Sequence, residues 1–404
     1  MFKIFKLGEV CSIESGSRGK GGASTEGIPS IGGEQISSTG YVLTEKMKYI
    51  TEEHFKKMKQ GVIKPDDTLL VKDGATTGKC AFYRNEYKEA TVNEHVFILR
   101  ANNLILPKFL YYVIASDKFQ NKIKSNIKGI IGGINLSIKN LEIVIPDKLA
   151  EQQEIVQVLD TINDIIRLRE ECITHAQELI PALFQEMFGD PRKNPLNFKI
   201  KSLGELCIKI GSGATPKGGK ETYQTNGIAL VRSMNIYDME FKYKDLAYIN
   251  ELQAEALNNV ELKENDVLFN ITGASIARCC ILPKNVLPAR VNQHVSILRC
   301  SEKVNHYFLN ALLTFPSVKE QFLNLGKTKG ATREAITKTQ LESFKIILPD
   351  IDHQQQFAQK VIEIESYIKE QQEELENARL MFQSLLHHAF TGELTKHKYG
   401  EINE

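Results

Sequence analysis

The sequence predicts an α+β protein: two pseudo-symmetric mixed α/β domains, separated by two long helices that pair as a coiled coil. Three observations predict it. The stretch ATVNEHVFILR (90–100) returns as ARVNQHVSILR (289–299), with eight identities in eleven positions at an offset of 199 residues. Short β-rich runs such as DTLLV, HVFILR and LEIVIP are punctuated by turn-forming Gly, Asn and Asp. Two further segments carry apolar residues at alternating steps of four and three, which is coiled-coil spacing rather than that of an ordinary surface helix.

The elements follow in chain order. Residues 1–147 make the first domain, and its landmarks recur in the second. KLGEVCSI matches SLGELCIK, IPSIGGEQI matches IALVRSMNI, PDDTLLVKDGATTGKC matches ENDVLFNITGASIARC, and IVIPD matches IILPD. A repeat of about 200 residues is a whole domain and not a solenoid unit. Within it, LPKFLYYVIASDKFQNKIK reads as one apolar helix. Residues 148–190 form a central spacer helix with a seam of Ile155, Leu159, Ile162, Ile166, Arg169, Ile173, Ala176, Ile180, Leu183 and Met187. Residues 191–349 make the second domain. The C-terminal spacer helix, 350–392, repeats the seam as Phe357, Val361, Ile364, Ile368, Gln371, Leu375, Ala378, Phe382, Leu385 and Ala389, and a tail, 393–404, closes the chain. Gly in FGDP and FTGE stops each helix. At about 1.5 Å per residue each seam gives a rod of roughly 48 Å. Arg169 and Gln371 interrupt the two seams at the same place; if the helices run antiparallel, both fall within a turn of the middle. A polar layer there costs stability but fixes register.

Composition bounds the function. With 404 residues, 42% hydrophobic and 25% charged, the chain is of multidomain, soluble globular type. The N-terminus MFKIFKLGEV breaks its apolar residues with lysines and no apolar run reaches a membrane span, so a cytoplasmic protein without membrane contact is expected. The seven cysteines include no C-x-x-C pair; neither a disulfide framework nor a zinc site is supported, and reduced, buried thiols are expected. The formal charge of +1 hides a division. Residues 1–148 hold 22 Lys/Arg against 16 Asp/Glu and 191–349 hold 22 against 14, whereas 149–190 hold 2 against 9 and 350–404 hold 5 against 11. Basic domains beside acidic helices suit contact with a polyanion at two places.

The Gly-rich loops SGSRGKGG, KDGATTGK and NIKGIIGGIN of the first copy, and GSGATPKGGK, NITGASIAR and LGKTKGATRE of the second, suggest phosphate sites. The P-loop pattern fails: before Gly219 and Lys220 stands Ala214 where Gly is required, Glu221 follows where Ser or Thr is required, and GATTGK is one residue short. GSG at Gly211 lacks a third glycine, and neither an N-P-P-Y-like tetrapeptide nor H-E-x-x-H occurs. His95 and His294 read as mid-strand structural histidines, since no nucleophile recurs beside them. No catalytic and no metal-binding residues are expected. The loops make better sense as fingers that approach a groove closely and bond phosphates or base edges. The expected DNA contacts are Arg18, Lys20, Lys72, Lys79 and Lys128 in the first domain. In the second they are Lys217, Lys220, Arg232, Arg278, Lys327, Lys329 and Arg333. A coiled-coil adaptor that binds only proteins, and a self-contained DNA-modifying enzyme, stand as alternatives.

On the repeated LGE, the D-x-L-L/F-x-x-x-G stretches at Asp67 and Asp266, and IVIPDKLAEQQEIV with ILPDIDHQQQFA, the chain resembles the specificity subunit of type I restriction-modification systems over essentially its whole length. The resemblance implies two target-recognition domains, each followed by a long helix, with the helices paired antiparallel as a spacer. Each domain would read one half of a bipartite double-stranded DNA target in the major groove. It implies as partners two methyltransferase subunits and restriction subunits, with S-adenosylmethionine, ATP and Mg on those partners and no cofactor in this chain. HQQQ departs from EQQE, which leaves the helix-face contacts of the two copies unequal.

Overall fold

The computed structural model describes residues 2–17, 24–37, 39–126, 133–216, 218–327 and 335–391. The chain divides into two compact units, Met1–Glu170 with Glu373–Glu404, and Glu171–Gln372, so each unit holds one domain with part of each long helix.

In the first unit, a four-stranded antiparallel sheet orders Cys11–Ser15, Val96–Ala101, Thr68–Val71 and Cys80–Phe82. A three-stranded sheet sets Ile28–Ile31 between antiparallel Lys48–Ile50 and parallel Thr91–Val92. Phe2–Lys6 pairs with Glu142–Pro146. The unbroken apolar runs TLLV and VFILR have a direct cause, because side chains alternate across a strand and both faces of this sheet are covered. Leu69, Val71, Val96 and Ile98 pack with Ile31 and Val92. Leu70, Phe97 and Leu99 point the other way, onto Phe109, Tyr112 and Ile155. Each such fully buried side chain contributes about 1.5–3 kcal/mol.

The second unit repeats the plan. Its sheet orders Cys207–Ser212, Val295–Cys300, Val267–Asn270 and Cys279–Ile281; Ile228–Val231 lies between Ala247–Ile249 and parallel Ala289–Val291. Val267, Phe269 and Leu298 face Phe308 and Phe357, whereas Leu268, Val295 and Ile297 face Leu230 and Val291.

The apolar helix expected after the sheet is two helices in both units. Pro107–Ala115 ends at Ser116, whose extended backbone (ψ 142°) and buried hydroxyl, 3.3 Å from the Phe119 N–H, start Asp117–Asn126. His306–Thr314 ends before Pro316, which opens Pro316–Gly326; the residue before proline is driven out of the helical region.

The long helices are Leu149–Phe188 and Ile351–Thr391. In the first unit Ile155, Val156 and Leu159, early in one helix, share a core with Leu386, Ala389 and Phe390, late in the other. In the second unit Phe184 and Phe188, late in the first helix, meet Phe357 with ring centroids 5.6 and 5.5 Å apart. The helices therefore pair antiparallel in each unit. The seam departs from the expected register at its ends. Phe184 and Phe188 are fully buried while Leu183 and Met187 are half-buried, and the second helix likewise buries Leu386, Ala389 and Phe390. A straight helix drifts about 20° per heptad relative to a strict seven-residue repeat, and here Phe184 and Phe188 reach the domain's Phe308 as well as the partner helix. Arg169 donates to Glu374, and Arg379 to Glu170 at 2.7 Å, both across the helix pair; Gln371 is half-buried in the second unit.

All seven cysteines are free thiols; Cys11, Cys80, Cys279 and Cys280 are buried, Cys207 and Cys300 half-buried, and Cys172 exposed, against the expectation of burial throughout. Cys172 lies on the outer face of its helix, one residue before the buried Ile173. No helix among the described residues is long and apolar enough to cross a membrane, and no cluster of metal-ligating side chains occurs among them.

Candidate nucleic-acid interface

The duplicated VNxH stretch is not mid-strand. Asn93, Glu94 and His95 turn the chain from Thr91–Val92 into Val96–Ala101, and Asn292, Gln293 and His294 do the same between Ala289–Val291 and Val295–Cys300. Each Asn is the pin of its turn. The Asn93 N–H donates to Ile31 O at 3.0 Å and its side-chain oxygen accepts the His95 N–H at 3.0 Å. Asn292 repeats both, to Val231 O at 3.1 Å and from the His294 N–H at 3.0 Å.

Around this turn the ends of the three Gly-rich loops gather. The Lys72 N–H donates to His95 O at 2.9 Å, and the Ile134 N–H to Lys72 O at 2.6 Å. In the second domain Ile271 donates to His294 O at 3.0 Å and Ile336 to Ile271 O at 2.8 Å. The third loop leaves its strand at Gly16 or Gly213, where the backbone crosses the turn so closely that a Cβ would lie 2.0 Å from Val92 O or 1.8 Å from Val291 O. Only glycine passes there. One edge of each domain thus gathers the described ends of three loops on main-chain hydrogen bonds, a scaffold indifferent to the side chains those ends carry.

Behind the turn an ion pair anchors the sheet. Arg100 donates to the buried Asp67 through Nε (2.8 Å) and Nη2 (2.7 Å), and Arg299 to Asp266 through Nε (2.7 Å) and Nη2 (2.8 Å). The Lys64 and Lys263 N–H groups complete the carboxylates at 2.7 Å each. Burial pushes the Asp67 carboxyl up, against the pull of Arg100 and the Lys64 N–H. Gln152 and Gln354, fully buried, fasten each long helix to its domain. Gln152 accepts the Leu106 N–H (2.8 Å) and donates to Leu104 O (3.1 Å) and Pro146 O (3.0 Å). Gln354 accepts the Asn305 N–H (2.9 Å) and donates to Lys303 O (3.3 Å) and Pro349 O (2.8 Å).

The expected DNA contacts fall in different places. Lys72 lies at the edge, half-buried, its Nζ 3.1 Å from Ser15 Oγ and over the Phe97 ring. Arg232 follows Val231, the acceptor for Asn292; its guanidinium sits 5.4 Å from the Tyr223 ring and donates to Asp245 O. Arg278 stacks on Tyr237 at 4.3 Å, and Lys327 is exposed at the end of Pro316–Gly326. Lys79 lines instead a cleft of about 620 Å³ between the first domain and its helices, with Tyr111, Asn163, Arg379 and Phe382. Lys220 belongs to the short turn Gly219–Thr222. Arg18, Lys20, Lys128, Lys217, Lys329 and Arg333 lie outside the described residues.

The second unit has the corresponding cleft, of about 610 Å³, lined by Met239, Phe241, Phe315, Glu365 and Lys369. Burial pushes the Glu365 carboxyl up to about 7. Its counterpart, Asn163, donates to the Tyr41 hydroxyl at 3.0 Å.

Residues 1–176 and 195–377 match the family model described as the type I restriction modification DNA specificity domain. The chain is 24% identical over 333 residues to a putative type I restriction enzyme MjaX specificity subunit of Methanocaldococcus jannaschii, covering 76% of this chain and 74% of the relative. It is 22% identical over 364 residues to the EcoKI specificity subunit of Escherichia coli, covering 82% and 76%. Among solved structures, a chain of a type I restriction-modification system studied for its assembly and conformational transition superposes with a TM-score of 0.57 at 18% identity, over 97% of this chain and 98% of that one. The type I restriction-modification S subunit of M. genitalium gives 0.55 at 14% identity, over 96% of each.

Proposed function

The chain belongs to the type I restriction-modification DNA specificity family, and from that premise we propose that each of its two domains reads one half of a bipartite double-stranded DNA target in the major groove. The protein is the non-catalytic recognition subunit of its system; methylation and cleavage reside on partner subunits. Two methyltransferase subunits and the restriction subunits assemble on it, and S-adenosylmethionine, ATP and Mg act on those partners.

The observation that carries this reading is the loop edge built twice. The Asn turn, the glycine crossing and the Arg–Asp anchor are the same in both copies, while the side chains carried on the loops differ. A constant backbone scaffold with exchangeable side chains is what reading two different half-sites requires, because phosphate contacts fix register and base-edge contacts carry sequence. The acidic helices suit a spacer kept off the phosphates.

Titrating the full chain against duplex DNA at increasing salt tests this. Binding should weaken with a log–log slope of roughly one unit per phosphate contacted, and a specific duplex should outcompete an unrelated one. No DNA binding with or without partner subunits favours a protein-only adaptor, and binding without sequence preference rejects half-site reading.

A further inference from the structure

The histidine of each turn is held in the same way, yet by different chemistry. His95 Nδ1 bonds to the Asp73 carboxylate, and its Nε2 lies 3.5 Å from Glu94 Oε1. His294 Nδ1 lies 2.6 Å from Thr272 Oγ1, and its Nε2 is 3.2 Å from the Gln293 Nε2 amide. At the repeat offset of 199, Asp73 is equivalent to Thr272 and Glu94 to Gln293. A neutral hydroxyl and amide therefore orient the ring as well as two carboxylates do, so the framework does not require acid at 73 and 94.

We propose that residues 73 and 94, and their equivalents 272 and 293, are the specificity-determining pair of each domain. In the first domain Asp73 and Glu94 accept from the exocyclic N4 amino group of a cytosine. In the second, Gln293, backed by Thr272 and His294, recognises an adenine. This rests on the DNA-reading function proposed above.

Three features support it. The pair flanks the main-chain hydrogen bonds that tie the described loop ends to the turn, Lys72 N–H to His95 O and Ile271 N–H to His294 O. They are accessible: the Asp73, Glu94 and His95 side chains keep 34%, 31% and 52% of their exposure, and Gln293 is exposed, its Oε1 accepting from Thr215 Oγ1 while the second lone pair and an amide N–H remain for a base. The first copy puts carboxylates amid loops otherwise rich in Lys and Arg, on a domain with an excess of positive charge. Against phosphates a carboxylate repels, whereas in the major groove Asp and Glu accept from cytosine N4 and Gln pairs with adenine N6 and N7. The donor–acceptor sets of the two copies differ in the way those two bases do.

The test exchanges the pairs in the full chain, assembled with its partner subunits, and selects bound duplexes from a pool randomised in both half-sites. In Asp73→Thr with Glu94→Gln, one position of the first half-site should shift from cytosine to adenine, with cytosine preference falling roughly tenfold or more. The second half-site should be unchanged. The reciprocal Thr272→Asp with Gln293→Glu should shift one position of the second half-site alone. Unchanged preferences, or a uniform loss of affinity across all sequences in variants that melt like the parent, overturn the assignment while leaving the function standing. A parent protein that selects no sequence overturns the DNA-reading function, and the assignment with it.

Discussion

Breaking the Asp266–Arg299 pair from either side should cost more than removing it. Asp266 is wholly buried and Arg299 keeps 15% of its side-chain exposure. Arg299→Met leaves the carboxylate with the Lys263 N–H at 2.7 Å as its remaining partner among those described above. Two charge-assisted hydrogen bonds, at about 1.5–3 kcal/mol each, are lost, in line with about 3–5 kcal/mol for orphaning a buried charge. Asp266→Leu should cost less, because the guanidinium still donates to Glu261 O at 2.9 Å and can reach water along its stem. The double variant has no buried charge and should recover to within about 1–2 kcal/mol of the parent. A chain of two compact units does not unfold in one step, so the assay is hydrogen exchange of the Val267–Asn270 and Val295–Cys300 amides, which reports local opening. Protection in Arg299→Met should fall roughly a hundred- to several thousandfold. A single variant within about 1 kcal/mol of the parent, or a double variant as weak as the sum of the singles, refutes the anchor.

Gln152→Leu should strand the buried Leu106 N–H and two carbonyls and lower stability by about 2–4 kcal/mol, seen as earlier melting and as exposure of the Leu149 end of its helix to protease. Gln354→Leu should do the same in the second unit. Glu365, with an ordinary value of 4.5 raised to about 7 in the fold, holds its proton more tightly folded than unfolded. The stability this gives is complete below about 4.5 and is lost as pH rises through 7, so Glu365→Gln should melt higher than the parent at pH 8 and equally at pH 4.5. A gain at both pH values would point to packing instead. Replacing Arg169 and Gln371 together by Leu should raise the melting temperature by a few degrees, since a polar layer trades stability for register; no change counts against such a layer.

How much of this was legible in the sequence depends on how far apart the partners lie. The duplication, the paired helices and the basic domains needed only local spacing and counting, and the β-rich runs DTLLV and HVFILR marked strands, whose cover on both faces the structure adds. The histidines were misplaced because β-rich residues flank the turn on both sides, Thr91–Val92 and Val96–Ala101, and residue type alone does not show where ladder hydrogen bonding stops. Arg100 stood inside the repeated stretch, but its partner Asp67 lies 33 residues earlier, and only pairing of Thr68–Val71 with Val96–Ala101 brings them together. Nothing local in EQQE marks Gln152 as buried; its partners Leu104 and Leu106 lie more than 45 residues earlier and are brought to it only by the fold. Glu94 and Gln293 were visible as differences between near-identical stretches, and the structure supplies the reason to weigh them.

The claim on which the account turns is that each domain reads its own half-site independently. Replacing residues 1–147 by the equivalent region of a relative, and mapping the methylated DNA sequence of the reconstituted complex, tests it most directly. One half of the recognised sequence should change and the other stay as it was. A change in both halves, or in neither, contradicts it.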